Sequence, residues 1–298
     1  MQTPFDLNNT SDYLDWRERK LAHSITSTDE LIVEIKNPRA LTPAEHAALL
    51  DRCRRSNMAI YATRAEGIDE NAVHQFGQQF GLNRLNANWL ASKQGVTRIT
   101  VCADDELRKA FIPYTDRAIK WHTDGYYNAP EQQVRSLVLH CAQSAKKGGE
   151  NRLIDHEIAY LMLRDANIDF IRALSAPDAM TIPERIDEQS VARPAQTGPV
   201  FSVDPANGAL HMRYTARTRS IVWKPDATTL AAVAMLEKLL ASDSPHIQHA
   251  RLENGMGLLC NNVLHDRVSF TDNAATPRLL FRARYFDRIA DTSFKLRT

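Results

Sequence analysis

From Val96 onward the chain breaks into short β-type runs, VTRITVCA, VRSLVLHCA, GPVFSVD, ALHMRYT, SIVW, GLLCN and RLLFRARYFD, separated by Gly, Pro, Asn and Asp. Many short strands with such punctuation point to a sandwich or barrel. Two helical stretches interrupt them, DHEIAYLMLRDANIDFIRALS at about 155–175 and DATTLAAVAMLEKLLAS at about 226–242, the second capped by Asp226 after Pro225. Both would cover one outer face of the sheets. Ahead of Val96 the order is helix, strand, helix. LTPAEHAALLDRCRR has Thr42 as N-cap, Pro43 at the first helical position and Glu45 completing a capping box, which sets a helix over about 43–55. MAIYAT (58–63) suits a buried strand, and IDENAVHQFGQQFG carries apolar residues at helical spacing until Gly81 stops it. The fold class expected is mainly β with flanking helices (α+β), arranged as a double-stranded β-helix, or jelly roll.

With 298 residues, 43% of them hydrophobic, the chain can bury a full core, and residues 1–298 are expected to form a single domain. No internal repeat or charge block argues for a linker. Residues 1–30 are polar and mixed, which reads as an arm that frays or lies along the surface. Lys plus Arg (37) nearly balances Asp plus Glu (36), so no net field draws the molecule to nucleic acid or an anionic membrane, and any ligand must be held by a local site. No run reaches about 18 apolar residues, and the start lacks a basic stretch followed by an apolar core. Cys53, Cys102, Cys141 and Cys260 lie far apart, as expected of buried free thiols in a reducing cytoplasm.

The chemistry is concentrated in KWHTDGYYN, where His122 and Asp124 stand two residues apart and, on an extended strand, point to one face. Ten histidines and 36 acidic residues yield roughly one His-x-Asp/Glu by chance, and for an isolated pair a surface or hydrogen-bonded role is the commoner outcome. This triplet, however, is the only one in the chain and sits among Trp121, Tyr126 and Tyr127, more like a cleft wall than a solvated face. NNVLHDRVSF supplies His265 at the end of the run GLLC as a third ligand. Two histidines and a carboxylate on one face of a metal leave three positions open, the arrangement of non-haem iron(II) oxygenases. A 2-oxo acid fills two of those positions through its ketone and carboxylate, and O2 takes the third. A far carboxylate then needs a fixed cation, best a forked guanidinium. TPRLLFRARYFDR offers Arg278 and Arg282, which an even separation keeps on one strand face; the plainer alternative is an alternating strand with its arginines in water.

WHTDGYYN, the GGEN turn after a strand ending LHC, NNVLHDRVSF and PRLLFRARYFDR together resemble, in order, the landmarks of the taurine dioxygenase family, which includes the γ-butyrobetaine hydroxylases. The resemblance covers about residues 110–288, with a weaker echo in VHQFGQQFGL. It implies a jelly roll holding iron(II) at His122, Asp124 and His265, with Arg278 binding the distal carboxylate of 2-oxoglutarate and Asn151 assisting, where taurine dioxygenase itself has threonine. By the same resemblance Arg282 reaches the substrate or the near carboxylate of the cosubstrate, and a lid falls in about 155–200. Family members separate an Asn from the histidine by more residues than NNVLHDR allows, so no role is carried onto either Asn here.

The implied activity is oxidative decarboxylation of 2-oxoglutarate to succinate, coupled to hydroxylation or desaturation of a small molecule. Asp124 occupies the carboxylate position, which leaves no place for a halide and disfavours halogenation. Tyr126, beside Tyr127, and a second arginine suggest a substrate bearing an anionic group, with Tyr126 touching it. Three other readings compete. A zinc hydrolase could use the same ligands but leaves Arg278 unexplained. A non-catalytic binding protein of the same fold predicts damage to the triad, which is intact. A nucleic-acid demethylase lacks its basic and aromatic groove. The sequence leaves a homo-oligomer open.

Overall fold

The computed structural model describes residues 3–86, 95–101, 111–187, 190–272 and 275–293. Its centre is a pair of facing sheets. The larger runs in the order Ile32–Glu34, Met58–Ala62, Met256–Cys260, Ser136–Gln143, Leu279–Tyr285, Thr97–Ile99. Its first pair is parallel and the others antiparallel. The smaller, antiparallel throughout, runs Gln248–Ala250, Asn151–Ile154, Leu264–Arg267, Ile119–His122. Between them lies a core of Met58, Ile60, Leu137, Cys141, Leu258 and Leu280 from the large sheet with Leu153 and Ala250 from the small one.

Strand alternation explains the layers outside this core. Phe281, Ala283 and Tyr285 turn away from it, to meet Leu49, Cys53, Val73 and Phe76 of the helices Pro43–Ser56 and Glu70–Gln78. On the opposite side Trp121, Ile154 and Leu264 of the small sheet pack beneath the helices His156–Ala166, Ile168–Leu174 and Ala227–Leu240. The helical stretches expected at about 155–175 and 226–242 thus cover one outer face, as the sequence indicated, and the N-terminal helices cover the other. The Pro43–Ser56 helix starts as anticipated, with both halves of the Thr42–Glu45 capping box formed, and stops at Asn57 in a left-handed conformation (φ 56°).

Two expectations are narrowed. The first 30 residues are not a frayed arm but lie along the surface with one face buried: Asn9 caps a helix Thr10–His23 whose Tyr13, Trp16 and Lys20, spaced at helical intervals, are all buried. Phe5 and Trp16 meet edge to face at 5.1 Å, and Lys20 Nζ lies 2.5 Å from Asp155 and 2.6 Å from Glu157, which ties the segment to the helix that Asp155 caps. Of the stretch at about 155–200 read as a lid, the helical part 155–174 packs into the core under the small sheet through Ile158, Ala159, Tyr160, Leu161, Leu163, Ile171 and Leu174. Cys53, Cys141 and Cys260 are free and buried, while Cys102 lies outside the described residues.

Candidate metal centre

The two histidines are brought together by backbone pairing. His265 on Leu264–Arg267 sits directly opposite His122 on Ile119–His122, and their ring centroids are 4.3 Å apart. Asp124 follows in a tight turn made possible by Gly125, whose φ of +69° and whose proximity to Val134, 2.5 Å from where a Cβ would stand, exclude a side chain. One ligand atom from each of His122, Asp124 and His265 lies within 4.8 Å of the others.

Both rings are oriented in the same way. His122 Nδ1 meets Lys120 O and His265 Nδ1 meets Val263 O, each at 2.9 Å. A carbonyl can only accept, so each Nδ1 carries the proton and each Nε2 keeps its lone pair for a metal. Burial, reinforced by His265, pushes His122 down to about 3, so it is neutral and competent to ligate. Burial by itself would raise the pKa of Asp124. Arg282, then Arg284 and the two imidazoles, hold its carboxyl well below the usual range instead. Its Oδ2 is buried and accepts no hydrogen bond. A carboxylate kept ionised beside two outward-aimed Nε2 lone pairs is a donor set that fits a divalent cation with open positions, iron(II) included.

Sequence reasoning missed the residue that fixes Asp124. Asn262, 2% exposed and left-handed (φ 51°), accepts from Asp124 N at 2.8 Å and donates to Asp124 O at 2.9 Å and Val134 O at 2.6 Å. Its side chain thus behaves as a strand partner for the turn that carries the ligand. The NN pair before His265 was the available signal, but a positive φ is not visible in a sequence.

The arginines separate into distinct environments. Arg278, 6% exposed, sits with its guanidinium 4.9 Å from the Phe270 ring centroid, and a Cβ on Gly149 would lie 3.6 Å from its Nε. Among the described residues that guanidinium donates to no protein acceptor; only the backbone N–H of Arg278 is used, by Asp272. Asn151 stands at the start of the Asn151–Ile154 strand and donates to Asp266 O at 2.6 Å. Arg282 and Arg284 pair in register with Leu139 and Leu137, so both face the small sheet. Arg282 Nη1 lies 3.2 Å from Asp124 Oδ2 and 3.3 Å from Oδ1. Arg284, which the sequence did not single out, donates to Tyr127 Oη at 3.1 Å. Tyr126, expected to touch substrate, packs in the apolar layer with Trp121, its ring edge-on to Tyr127 at 5.2 Å. Tyr127 meets Arg284 through its hydroxyl and Arg193 through its ring face.

Known proteins match this geometry at three levels. In sequence, a uridine-5'-phosphate dioxygenase of an Amycolatopsis species is 32% identical over 170 residues, 55% of this chain and 60% of that protein. A second uridine-5'-phosphate dioxygenase, from a Streptomyces species, is 29% identical over 188 residues, 57% of this chain and 62% of that protein. The alignments therefore span about three fifths of these curated relatives. In structure, an asparagine oxygenase in complex with Fe(II), 3-hydroxyasparagine and succinate superposes with a TM-score of 0.60 at 14% identity, covering 83% of this chain and 81% of that one. This likeness shows the shared double-stranded β-helix. The model of the taurine catabolism dioxygenase TauD, TfdA family matches residues 21–284, and the chain belongs to that family.

Proposed function

We propose that this chain is an iron(II)- and 2-oxoglutarate-dependent dioxygenase acting on a small molecule that carries a phosphate group. The observation that carries the reading is the clustering of His122, Asp124 and His265, with both histidine tautomers fixed so that Nε2 faces the carboxylate. The buried guanidinium of Arg278, which lies against Phe270 and donates to no acceptor among the described residues, supports 2-oxoglutarate as the cosubstrate. Iron(II) with 2-oxoglutarate and O2 supplies oxidative decarboxylation to succinate and CO2, coupled to oxidation of a substrate C–H bond.

The chain's own residues do the positioning. Arg278 takes the distal carboxylate in a two-pronged, charge-assisted pair within a dry pocket. Asn151, already bound to Asp266 O, steadies the strand beside that pocket. Asn262 holds the Asp124 turn, and Arg282 keeps the Asp124 carboxylate ionised. The uridine-5'-phosphate dioxygenase relatives support a phosphorylated substrate of nucleotide type, as do the arginines beyond Asp124. Among the described residues no helix is long and apolar enough to cross a membrane, and the described cysteines are free thiols, which supports a cytoplasmic enzyme.

The test is succinate release with iron(II), ascorbate, 2-oxoglutarate and air across nucleoside monophosphates, the matching nucleosides and free amino acids. The reading expects stimulation by a phosphorylated compound above its dephosphorylated partner. Stimulation by amino acids with none from any phosphate ester would overturn the substrate class.

A further inference from the structure

The resemblance assigns the second arginine, Arg282, to the substrate or to the near carboxylate of the cosubstrate. In this molecule Arg282 is already engaged: Nη1 lies between the two Asp124 oxygens at 3.2 and 3.3 Å, and its Nε is buried. A guanidinium that steadies a metal-ligating carboxylate is poorly placed to recognise the far end of a substrate.

Two residues further along the same strand face, Arg284 is 4% exposed and donates Nη1 to Tyr127 Oη at 3.1 Å. From a different part of the chain Arg193 brings its guanidinium carbon to 5.9 Å from the Tyr127 ring centroid. Arg193 is anchored through carbonyls only, Pro183 O at 2.6 Å and Pro194 O at 3.2 Å, which leave its charge unneutralised. Among the described residues neither Arg193, which is partly exposed, nor Arg284, which is 4% exposed, has a carboxylate within 4.0 Å. Tyr127 is three residues from Asp124, so this cationic pair flanks the metal centre rather than lying remote from it. Arg284 already faces the Asp124 carboxylate across the site, whereas Arg193 has no ion-pair partner among the described residues, so an anion reaching Tyr127 would meet an unneutralised guanidinium there.

We propose that Arg284 and Arg193, flanking Tyr127, form the anion-binding end of the substrate pocket and take the oxygens of a phosphate monoester, while Arg282 serves as a positioning residue for Asp124. This rests on the proposed phosphorylated substrate and gives it residues. A tetrahedral dianion matches two guanidiniums and a phenol hydroxyl better than a single carboxylate, which one arginine fork satisfies alone. Selection would then act by charge at one end of the pocket, with oxidation at the metal at the other.

The experiment is anaerobic calorimetric titration of the iron(II)–2-oxoglutarate protein with uridine 5'-monophosphate, uridine and inorganic phosphate. Wild type should bind the monophosphate well above uridine, and inorganic phosphate should compete. Arg284→Lys and Arg193→Met should each weaken monophosphate and phosphate binding about ten- to a hundredfold, with uridine and 2-oxoglutarate binding unchanged. Arg193, being partly exposed, provides a variant that folds if Arg284→Lys does not. Arg282→Lys should keep phosphate affinity and weaken iron(II). If wild type prefers the monophosphate and both anchor variants retain that preference, the substrate reading stands and this anchor is wrong. If wild type binds inorganic phosphate through these residues but shows no preference for the nucleotide, the anion site stands and the nucleotide reading falls. No phosphate binding by wild type overturns the anchor outright.

Discussion

Replacing Asn262 isolates how far the metal ligand depends on a residue that never touches the metal. Its side chain makes three hydrogen bonds in a nearly dry setting, two to the Asp124 backbone and one to Val134 O. At about 1 kcal/mol each, with some penalty for the groups left unpaired, their loss should destabilise the fold by about 2–4 kcal/mol. The left-handed backbone (φ 51°) adds a second, separable term, because alanine resists that conformation by about 1–2 kcal/mol and glycine does not. Asn262→Ala should therefore be less stable than Asn262→Gly by about 1 kcal/mol, with both below wild type. Residues that orient a metal ligand typically alter affinity ten- to a hundredfold, so iron(II) binding should weaken by that order in Asn262→Gly even where the protein is fully folded. Urea unfolding and anaerobic iron(II) titration measure the two effects. An Asn262→Gly variant within about 0.5 kcal/mol of wild type and with unchanged iron affinity would refute the clamp.

Arg278→Ala should weaken 2-oxoglutarate about ten- to a hundredfold in anaerobic titrations while keeping iron(II), and Arg278→Lys should restore only part of the loss because a point charge lacks the planar fork. Lys20→Met leaves Asp155 and Glu157 buried without their shared ammonium, and should cost about 3 kcal/mol in urea unfolding at neutral pH, with Arg288 partly compensating. Burial works to raise the Glu157 pKa, but Lys20 and Arg288 hold it below the usual range. Its contribution is therefore present above the unfolded carboxylate value and lost as the pH falls, so the Lys20→Met deficit should shrink below about pH 4. Burial, then Arg135 and neighbouring cations, keep His211 neutral far below its ordinary value, and the folded state binds fewer protons than the unfolded one. Stability should fall as the pH drops below about 6.5, by up to about 1.4 kcal/mol per unit for this group, and His211→Gln should flatten the profile.

What was legible in the sequence was what local rules dictate. The capping box around Thr42 and the alternation in RLLFRARYFD each follow from a few neighbouring residues. The metal triplet was visible because two ligands are two residues apart, and His265 because it ends an apolar strand-like run, with the resemblance adding weight to it. The role of the first 30 residues was not: Tyr13, Trp16 and Lys20 do repeat at helical spacing, but their partners Leu161, Asp165 and Glu157 lie more than 130 residues away in sequence. The arginine environments are equally non-local, since Arg282 meets Asp124 across a separation of 158 residues and Arg284 meets Tyr127 across 157. That the helical part of 155–200 is core was hidden for a related reason. An amphipathic helix and a mobile cover share one sequence texture, and only the opposing face, here Trp121, Ile154 and Leu264, decides between them.

The most direct measurement is 2-oxoglutarate turnover by wild type and His265→Ala, with iron(II) or zinc, in air or under anaerobic conditions. The account predicts succinate only from wild type with iron(II) and O2, loss of turnover in a folded His265→Ala, and inhibition by zinc. Succinate that forms without O2, turnover supported by zinc, or a folded His265→Ala that retains wild-type activity would contradict it.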